Sequence, residues 1–218
     1  MKRHLSLLLG FVVAWLGLPQ PGGAQGTIAY YQPQTPIVMF TRWFGEYYPL
    51  DIDGDNSTDL TFAYSFQFLG VRSEGVNRLL IRPSPPPNVG GPIAVLPPGF
   101  PIGDSSESDV LRWYAGTELS PFQTLVHCVD SGCGGAFRGQ HAYMGVEFER
   151  AGATHYGWVL LNVASDYPAG QIEAWAWETR AGVPILAGSV PEPSTWALLV
   201  GGGVLMVWFR RKRNERMG

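Results

Sequence analysis

Three runs in the second half of the chain decide its fold: Tyr143-Met-Gly-Val-Glu-Phe-Glu149, His155-Tyr-Gly-Trp-Val-Leu-Leu-Asn-Val-Ala164 and Gln171-Ile-Glu-Ala-Trp-Ala-Trp-Glu-Thr179. All three are rich in the β-branched and aromatic residues that are typical of strands. Ala151-Gly152 and Pro168-Ala169-Gly170 separate them, and such residues form turns. The pattern therefore predicts three consecutive antiparallel strands, a β-meander.

Shorter strand candidates precede the meander, at 27–31, 37–44, 60–68 and 76–82. Residues two apart on a strand point the same way, so one buried aromatic face is expected from Phe62, Tyr64, Phe66 and Phe68. The proline-rich stretch 83–98 is expected to be an irregular surface connection. No long run outside the chain ends has a helical apolar period. The sequence predicts an all-β ectodomain, an antiparallel β-sandwich or jelly roll.

Charge is distributed unevenly along the chain. Between residues 25 and 190 there are sixteen acidic side chains, eight arginines and no lysine, a balance of −8, whereas the whole chain carries −3. A domain of this sign is a poor partner for nucleic acid, so none is expected.

The amino-terminal residues 1–24 have the layout of a secretory signal peptide. Lys2 and Arg3 precede the apolar run Leu5–Leu18, and the small residues Gly22-Gly23-Ala24 follow. We expect the secretion machinery to export the chain and signal peptidase to cleave it after Ala24. The ectodomain would then comprise residues 25–189, outside the cytoplasmic membrane.

Three segments follow one another at the carboxyl end: Val190-Pro191-Glu192-Pro193, the uncharged run Trp196–Phe209, and Arg210-Arg-Lys-Arg213. A helix over these fourteen apolar residues measures about 21 Å, which is shorter than the roughly 30 Å hydrocarbon core of a bilayer. The run is therefore a marginal, temporary membrane helix, and the cations place its end in the cytoplasm. An ordinary tail anchor is the alternative.

This order of segments, residues 190–216, resembles the PEP-CTERM sorting signal of exported bacterial proteins. The resemblance implies that Val190, Pro191, Glu192 and Pro193 are recognised by an exosortase, a transpeptidase-like membrane protease. It also implies transient anchoring in the membrane, followed by delivery to the cell surface or the extracellular matrix. The strands around Tyr156-Gly-Trp-Val159 and Ala174–Glu178 resemble those of a group of PEP-CTERM proteins and carry no known activity with them.

One loop has a specific chemical pattern, Asp51-Ile-Asp53-Gly-Asp55-Asn-Ser57-Thr-Asp59. Alternating carboxylates, with a backbone carbonyl from Ser57, can wrap a Ca²⁺ ion. The loop resembles the Asp-x-Asp-x-Asp-Gly calcium loops of EF-hands and dockerins, but Phe62 stands where an EF-hand has its last glutamate. We therefore expect a calcium site between two strands. A turn rich in Asp and Asn that binds no ion is the alternative.

The two cysteines, Cys128 and Cys133, are close in sequence and belong to an exported domain. A disulfide that closes a short loop is the default expectation. Two thiols or a metal site are the alternatives, and the metal needs more nitrogen or sulfur ligands than His127 supplies.

Catalytic patterns are weak, and no enzyme is predicted. Glu147 and Glu149 share one strand face, which a glycosidase could use, but acids on a solvent-facing strand are the simpler interpretation. The histidines at 127, 141 and 155 belong to neither a nucleophile elbow nor a zinc-protease helix.

Three tryptophans, Trp158, Trp175 and Trp177, lie on the predicted meander. Packing within the sheet is their expected role, and an exposed platform that binds a polysaccharide is the alternative. The sequence as a whole favours a non-enzymatic surface or matrix protein with a structural or adhesive role. A carbohydrate-binding module and a jelly-roll hydrolase are the two alternatives.

Overall fold

The computed structural model describes residues 28–39, 45–84, 90–116 and 121–191. One compact unit spans Thr27–Pro191. The predicted signal peptide 1–24 and the predicted membrane segment 196–209 lie outside the described residues. Among those that are described, no helix has the length and apolarity needed to cross a membrane.

The described chain is built of β-strands, with a single short 3-10 helix at Asp104–Ser106. Its strands are β1 Ile28–Tyr31, β2 Ile37–Met39, β3 Glu46–Leu50, β4 Leu60–Ser65, β5 Phe68–Ser73, β6 Arg78–Ile81, β7 Pro101–Ile102, β8 Arg112–Tyr114, β9 Gln123–Val129, β10 Gly132–Gly134, β11 His141–Arg150, β12 Ala153–Val163, β13 Gly170–Glu178 and β14 Ile185–Leu186.

The strands form three antiparallel sheets. The largest has the order β1-β13-β12-β11-β6-β8, with β2 also paired to β13, and the second has the order β10-β9-β5-β4-β3. The small third sheet pairs β14 with β7. The predicted meander is confirmed, because β11, β12 and β13 are consecutive neighbours in the largest sheet. The all-β, antiparallel class that the sequence predicted is therefore the observed one.

The main hydrophobic core contains side chains from both large sheets. Phe62 and Leu69 come from the five-stranded sheet, and Val146, Phe148 and Leu161 come from the seven-stranded sheet. All five are buried. Burial of apolar area between the two sheets is the main favourable free-energy term that such a fold has available.

A second cluster lies on the opposite face of the largest sheet. Tyr156 and Trp158 of β12 pack there with Ile102 of β7 and Ile185 of β14. The central strands are thus covered on both faces, which explains why they read as nearly continuous apolar runs rather than as a strict alternation.

The prediction of one buried aromatic face along residues 60–68 is wrong for the second half of this segment. Strand β4 ends at Ser65, a two-residue turn follows, and Phe68 begins β5 opposite Ser65. Phe62 and Tyr64 point into the core, but Phe66 is 68% exposed at the turn. A tight hairpin reverses the chain, so the two-residue period does not continue across it.

The proline-rich stretch is irregular, as expected, but it is not a surface connection. Its described residues include Ile93, Ala94 and Leu96, and all three are buried. Proline excludes a segment from a regular ladder because it lacks a donor, yet it does not prevent neighbouring side chains from filling a core.

Cys128 and Cys133 are paired as a disulfide at the hairpin of β9 and β10, where they face each other in register. The short loop that they close agrees with the default expectation. The bridge holds the end of a two-stranded ribbon at the rim of the five-stranded sheet.

Candidate metal centre

The acidic loop connects β3 to β4, two neighbouring strands of the five-stranded sheet. It is therefore a strand–loop–strand element, as predicted. Gly54 and Asn56 both have left-handed backbone conformations, with φ of 76° and 71°. Glycine and asparagine adopt this conformation at the lowest cost, so the sequence at these two positions lets the chain curl around its own carboxylates.

Backbone amides of the loop donate hydrogen bonds to its aspartates. The carboxylate of Asp51 accepts from the amides of Gly54 and Asn56, at 2.7 and 2.8 Å. Asp53 and Asp55 each accept from the amide two residues onward. These bonds fix where the carboxylates point and bring several acceptor oxygens towards one centre.

Three of the predicted ligands come together. Asp51, Asp53 and Asp59 each offer a carboxylate oxygen within 4.8 Å of the others. Asp55 is exposed and lies outside this group, and Ser57, the predicted carbonyl ligand, is also exposed. The three-carboxylate group has the hard oxygen donors that Ca²⁺ prefers.

Asp59 is the member of the group that is buried as a whole residue. Its Oδ2 accepts from the Ile52 amide at 2.8 Å, and its Oδ1 accepts from the Asn77 side-chain amide at 3.0 Å. Burial, together with the charges of Asp53 and Asp51, raises the pKa of Asp59 to about 6 against the lowering effect of these hydrogen bonds. A cation among the three carboxylates would relieve this repulsion.

Arg150, at the end of β11, is a part of the site that the sequence pattern did not reveal. Its Nε lies 3.2 Å from Oδ2 of Asp53, whose side chain is 2% exposed. Burial raises the pKa of Asp53, and Arg150 works in the opposite direction. No spacing rule connects two residues so far apart in the chain, so only tertiary contact reveals this pair.

The three tryptophans do not form the exposed platform that was the alternative to packing within the sheet. Trp158, Trp175 and Trp177 are 2%, 7% and 4% exposed. Trp175 and Trp177 belong to the core between the large sheets, whereas Trp158 belongs to the cluster on the other face. Trp158 is paired with Ala176, and paired residues of neighbouring strands point to the same face. Side chains alternate along β13, so Trp158 points away from Trp175 and Trp177. Packing, the expected role, is what they do.

The candidate catalytic groups are dispersed. Glu147 is buried while Glu149 is exposed, and His127 lies in the other sheet. His141 pairs with Glu173, and His155 is packed between Phe148 and Trp177. Within the described residues, these groups do not share one groove.

Glu147 has a specific structural partner instead. Arg78 donates from Nε to its Oε1 at 2.5 Å, while its Oε2 is buried and has no protein partner. Burial raises the pKa of Glu147, and the bond to Arg78 lowers it. The bond to Arg78 therefore offsets part of the cost of burying this carboxylate on the outer side of the largest sheet.

We expect Arg78→Met to lower the free energy of unfolding by about 2 kcal/mol at pH 7, because it leaves a buried charge unpaired. Without Arg78, the pKa of Glu147 in the folded state is raised still more. The loss of unfolding free energy should therefore shrink as the pH falls to about 4, the pKa of a glutamate in the unfolded chain. Urea unfolding of the full chain at pH 4.5 and 7 measures this. Arg78→Met with Glu147→Gln should recover part of the loss, and an equal loss at both pH values would contradict the expectation.

The folded unit extends to the first residues of the predicted sorting motif. The carbonyl of Ser189 accepts a hydrogen bond from Nε1 of Trp158 at 3.2 Å, and its hydroxyl donates to the carbonyl of Leu186. Val190, the next residue, is 46% exposed. The chain is thus held by the β-domain up to Ser189, and the motif starts at the surface.

These features define a class of protein: an antiparallel β-domain followed directly by a carboxyl-terminal segment that has the pattern of a sorting signal. The family described as the PEP-CTERM protein-sorting motif matches residues 189–213. The chain is therefore a PEP-CTERM domain-containing protein. This motif implies export, processing by an exosortase, which is a membrane protein, and a cell-surface or extracellular location. No curated protein and no solved structure matches the chain.

Proposed function

We propose that this protein is a non-enzymatic component of the cell surface or extracellular matrix, with a structural or adhesive role. A signal peptide at 1–24 starts its export, and the segment 196–209 anchors it in the membrane until an exosortase acts. The β-domain is the cargo. The observation that supports this proposal most strongly is the sorting motif at residues 189–213, directly after a folded domain.

The architecture of the cargo supports a β-sandwich. Two antiparallel sheets share one core, and a covering layer of short strands packs on the outer face of the larger sheet. A fold of this kind implies no particular activity, so the structural role is proposed from the sorting motif and not from the architecture.

We also propose that calcium binds the loop between β3 and β4, with Asp51, Asp53 and Asp59 as ligands. Three convergent carboxylates support it, and one of them is buried beside the other two. Calcium would then connect the loop to the core and stabilise the domain in an extracellular medium, where the ion is abundant.

No specific observation favours either of the two alternative functions, the carbohydrate-binding module or the jelly-roll hydrolase. The tryptophans that a sugar platform would need are buried, with Trp158 on the face opposite Trp175 and Trp177. The carboxylates and histidines expected of a hydrolase are dispersed over the described residues.

Sorting is tested by the mass of the mature carboxyl terminus. In cells with an exosortase, we expect the exported protein to end near Pro191-Glu192-Pro193, without the basic tail. Because the motif is what the protease recognises, Pro191→Ala with Pro193→Ala should leave the chain intact through Gly218. Pro184→Ala, which changes an exposed proline upstream of the motif, is the matched control. Exported wild-type protein that still contains the whole tail would overturn the proposal.

A further inference from the structure

An open groove of about 500 Å³ lies beside the acidic loop, between edge strand β1 and the chain that follows β3. Its lining is mostly apolar and aromatic, with Tyr31, Pro49, Trp175 and Trp177 among the contributing residues. Among the described residues, Asp51 and Asp53 are the charged members of the lining. The described lining therefore combines aromatic rings with negative charge and includes no cation.

Two exposed tyrosines, Tyr30 and Tyr31, belong to the lining, and Tyr31 is the more exposed of them. Its ring lies on that of Trp175, with 4.4 Å between ring centroids and 36° between ring planes, and the residue is 54% exposed. Trp175 is fixed in turn, because its Nε1 donates to the carbonyl of Ile52 at 3.2 Å. The hydrogen bond connects the aromatic stack to the acidic loop, so the two parts of the groove hold a constant relative position.

A contact within the chain shows that an indole and a carboxylate of this region can bind a guanidinium group. The guanidinium of Arg150 lies 4.7 Å from the ring centroid of Trp177 and pairs with the carboxylate of Asp53. One indole and one carboxylate thus already hold an arginine. The second indole is that of Trp175, which Tyr31 covers, and the second carboxylate is that of Asp51. Both belong to the groove, and no described lining residue supplies a cation to them.

We propose that this groove binds an arginine side chain of another polypeptide, with its guanidinium stacked on Tyr31 and attracted by the charge of Asp51. Arginine suits the groove better than lysine, because its planar, weakly hydrated group stacks on aromatic rings. The −8 balance of the ectodomain adds a long-range attraction for a basic partner. This inference goes beyond the proposed function and does not depend on it.

Calcium affects the groove through the shared carboxylates. An ion held by Asp51, Asp53 and Asp59 would cancel much of the negative charge that attracts a guanidinium. If calcium binds, the affinity for an arginine peptide should therefore fall as calcium is added, while the stacking surface stays in place.

The test uses the full-length chain in a non-ionic detergent and a fluorescein-labelled peptide Gly-Arg-Gly-Arg-Gly, followed by fluorescence anisotropy in chelator. The matched probe has citrulline in place of arginine, which keeps the shape and removes the charge. We expect the arginine peptide to bind at least tenfold more tightly than the citrulline peptide, with a difference that falls as salt is added. Equal binding of the two peptides, or binding of neither, would overturn the proposal.

Variants locate the binding site. Tyr31→Ala and Tyr31→Leu should each weaken the arginine peptide about tenfold, since both remove the aromatic face and the second keeps apolar volume. Tyr47→Ala removes a 63% exposed tyrosine that does not line the groove and should leave binding unchanged. Loss with Tyr47→Ala but not with Tyr31→Ala would contradict the site. So would a neutral oligosaccharide that displaces the arginine peptide.

The same samples separate this inference from the calcium proposal. Tyr31→Leu should keep the full calcium-dependent shift in melting temperature, because Tyr31 supplies no ligand. Peptide binding without a calcium shift would remove only the calcium proposal. A calcium shift without peptide binding in chelator would remove only the arginine groove.

Discussion

Trp158→Ala should lower the free energy of unfolding by about 3–5 kcal/mol, the range for removing a fully buried indole. The ring is 2% exposed and packs edge-on against Tyr143, with 5.1 Å between ring centroids. Its Nε1 also donates to the carbonyl of Ser189. The substitution therefore leaves a cavity under β7 and β14 and removes a bond that holds the segment before the sorting motif. Urea unfolding of the full chain measures the loss.

The control for this prediction is an exposed aromatic of similar size. Tyr47→Ala should change the free energy of unfolding by about 0.5 kcal/mol or less, because Tyr47 is 63% exposed. Trp158→Phe should fall between the two, since it keeps part of the packing and loses the hydrogen bond. If Trp158→Ala were as mild as Tyr47→Ala, the indole would not be a core residue.

Calcium should stabilise the β-domain by about 4 kcal/mol when the free ion is a thousandfold above its dissociation constant. For a domain of this size the melting temperature should then rise by about 10 °C relative to the same protein in chelator. The reason is that an ion among Asp51, Asp53 and Asp59 replaces repulsion by attraction in a partly buried site. Calorimetry with and without chelator measures the shift.

Two substitutions make the calcium prediction specific. Asp51 accepts from the amides of Gly54 and Asn56 with two different oxygens, so Asp51→Asn keeps an acceptor for only one of these amides and also removes a ligand charge. Most of the calcium-dependent shift should therefore be lost. Asp109→Asn changes an exposed acid outside the carboxylate group and should preserve it. An identical melting temperature in calcium and in chelator for the wild-type chain would rule the site out.

The all-β class and the β11–β12–β13 meander were predictable because they depend on the residue pattern within each strand and on the turn residues between strands. Strand composition and the Ala151-Gly152 and Pro168–Gly170 breaks are properties of neighbouring residues. The same holds for the acidic loop, whose spacing predicted a carboxylate group before any contact was known. Left-handed Asn56 could likewise be expected from its residue type.

Other features depended on contacts between distant segments. The hairpin at Phe66 interrupts a run that continues perfectly in sequence, because the chain reverses between Ser65 and Phe68. The described residues of the proline-rich stretch are buried by packing against the sheets, which a composition that favours irregular backbone does not reveal.

By itself, the sequence determined the strand class, the sorting motif and the acidic loop, since each is encoded within a short continuous segment. Only the tertiary structure decided that Arg150 meets Asp53, that Trp158 lies on the face opposite Trp175, and that Tyr31 covers Trp175 beside the loop. The physical reason is that strand pairing and sheet packing join residues far apart in the chain. Charge pairs, burial and grooves arise from those distant contacts.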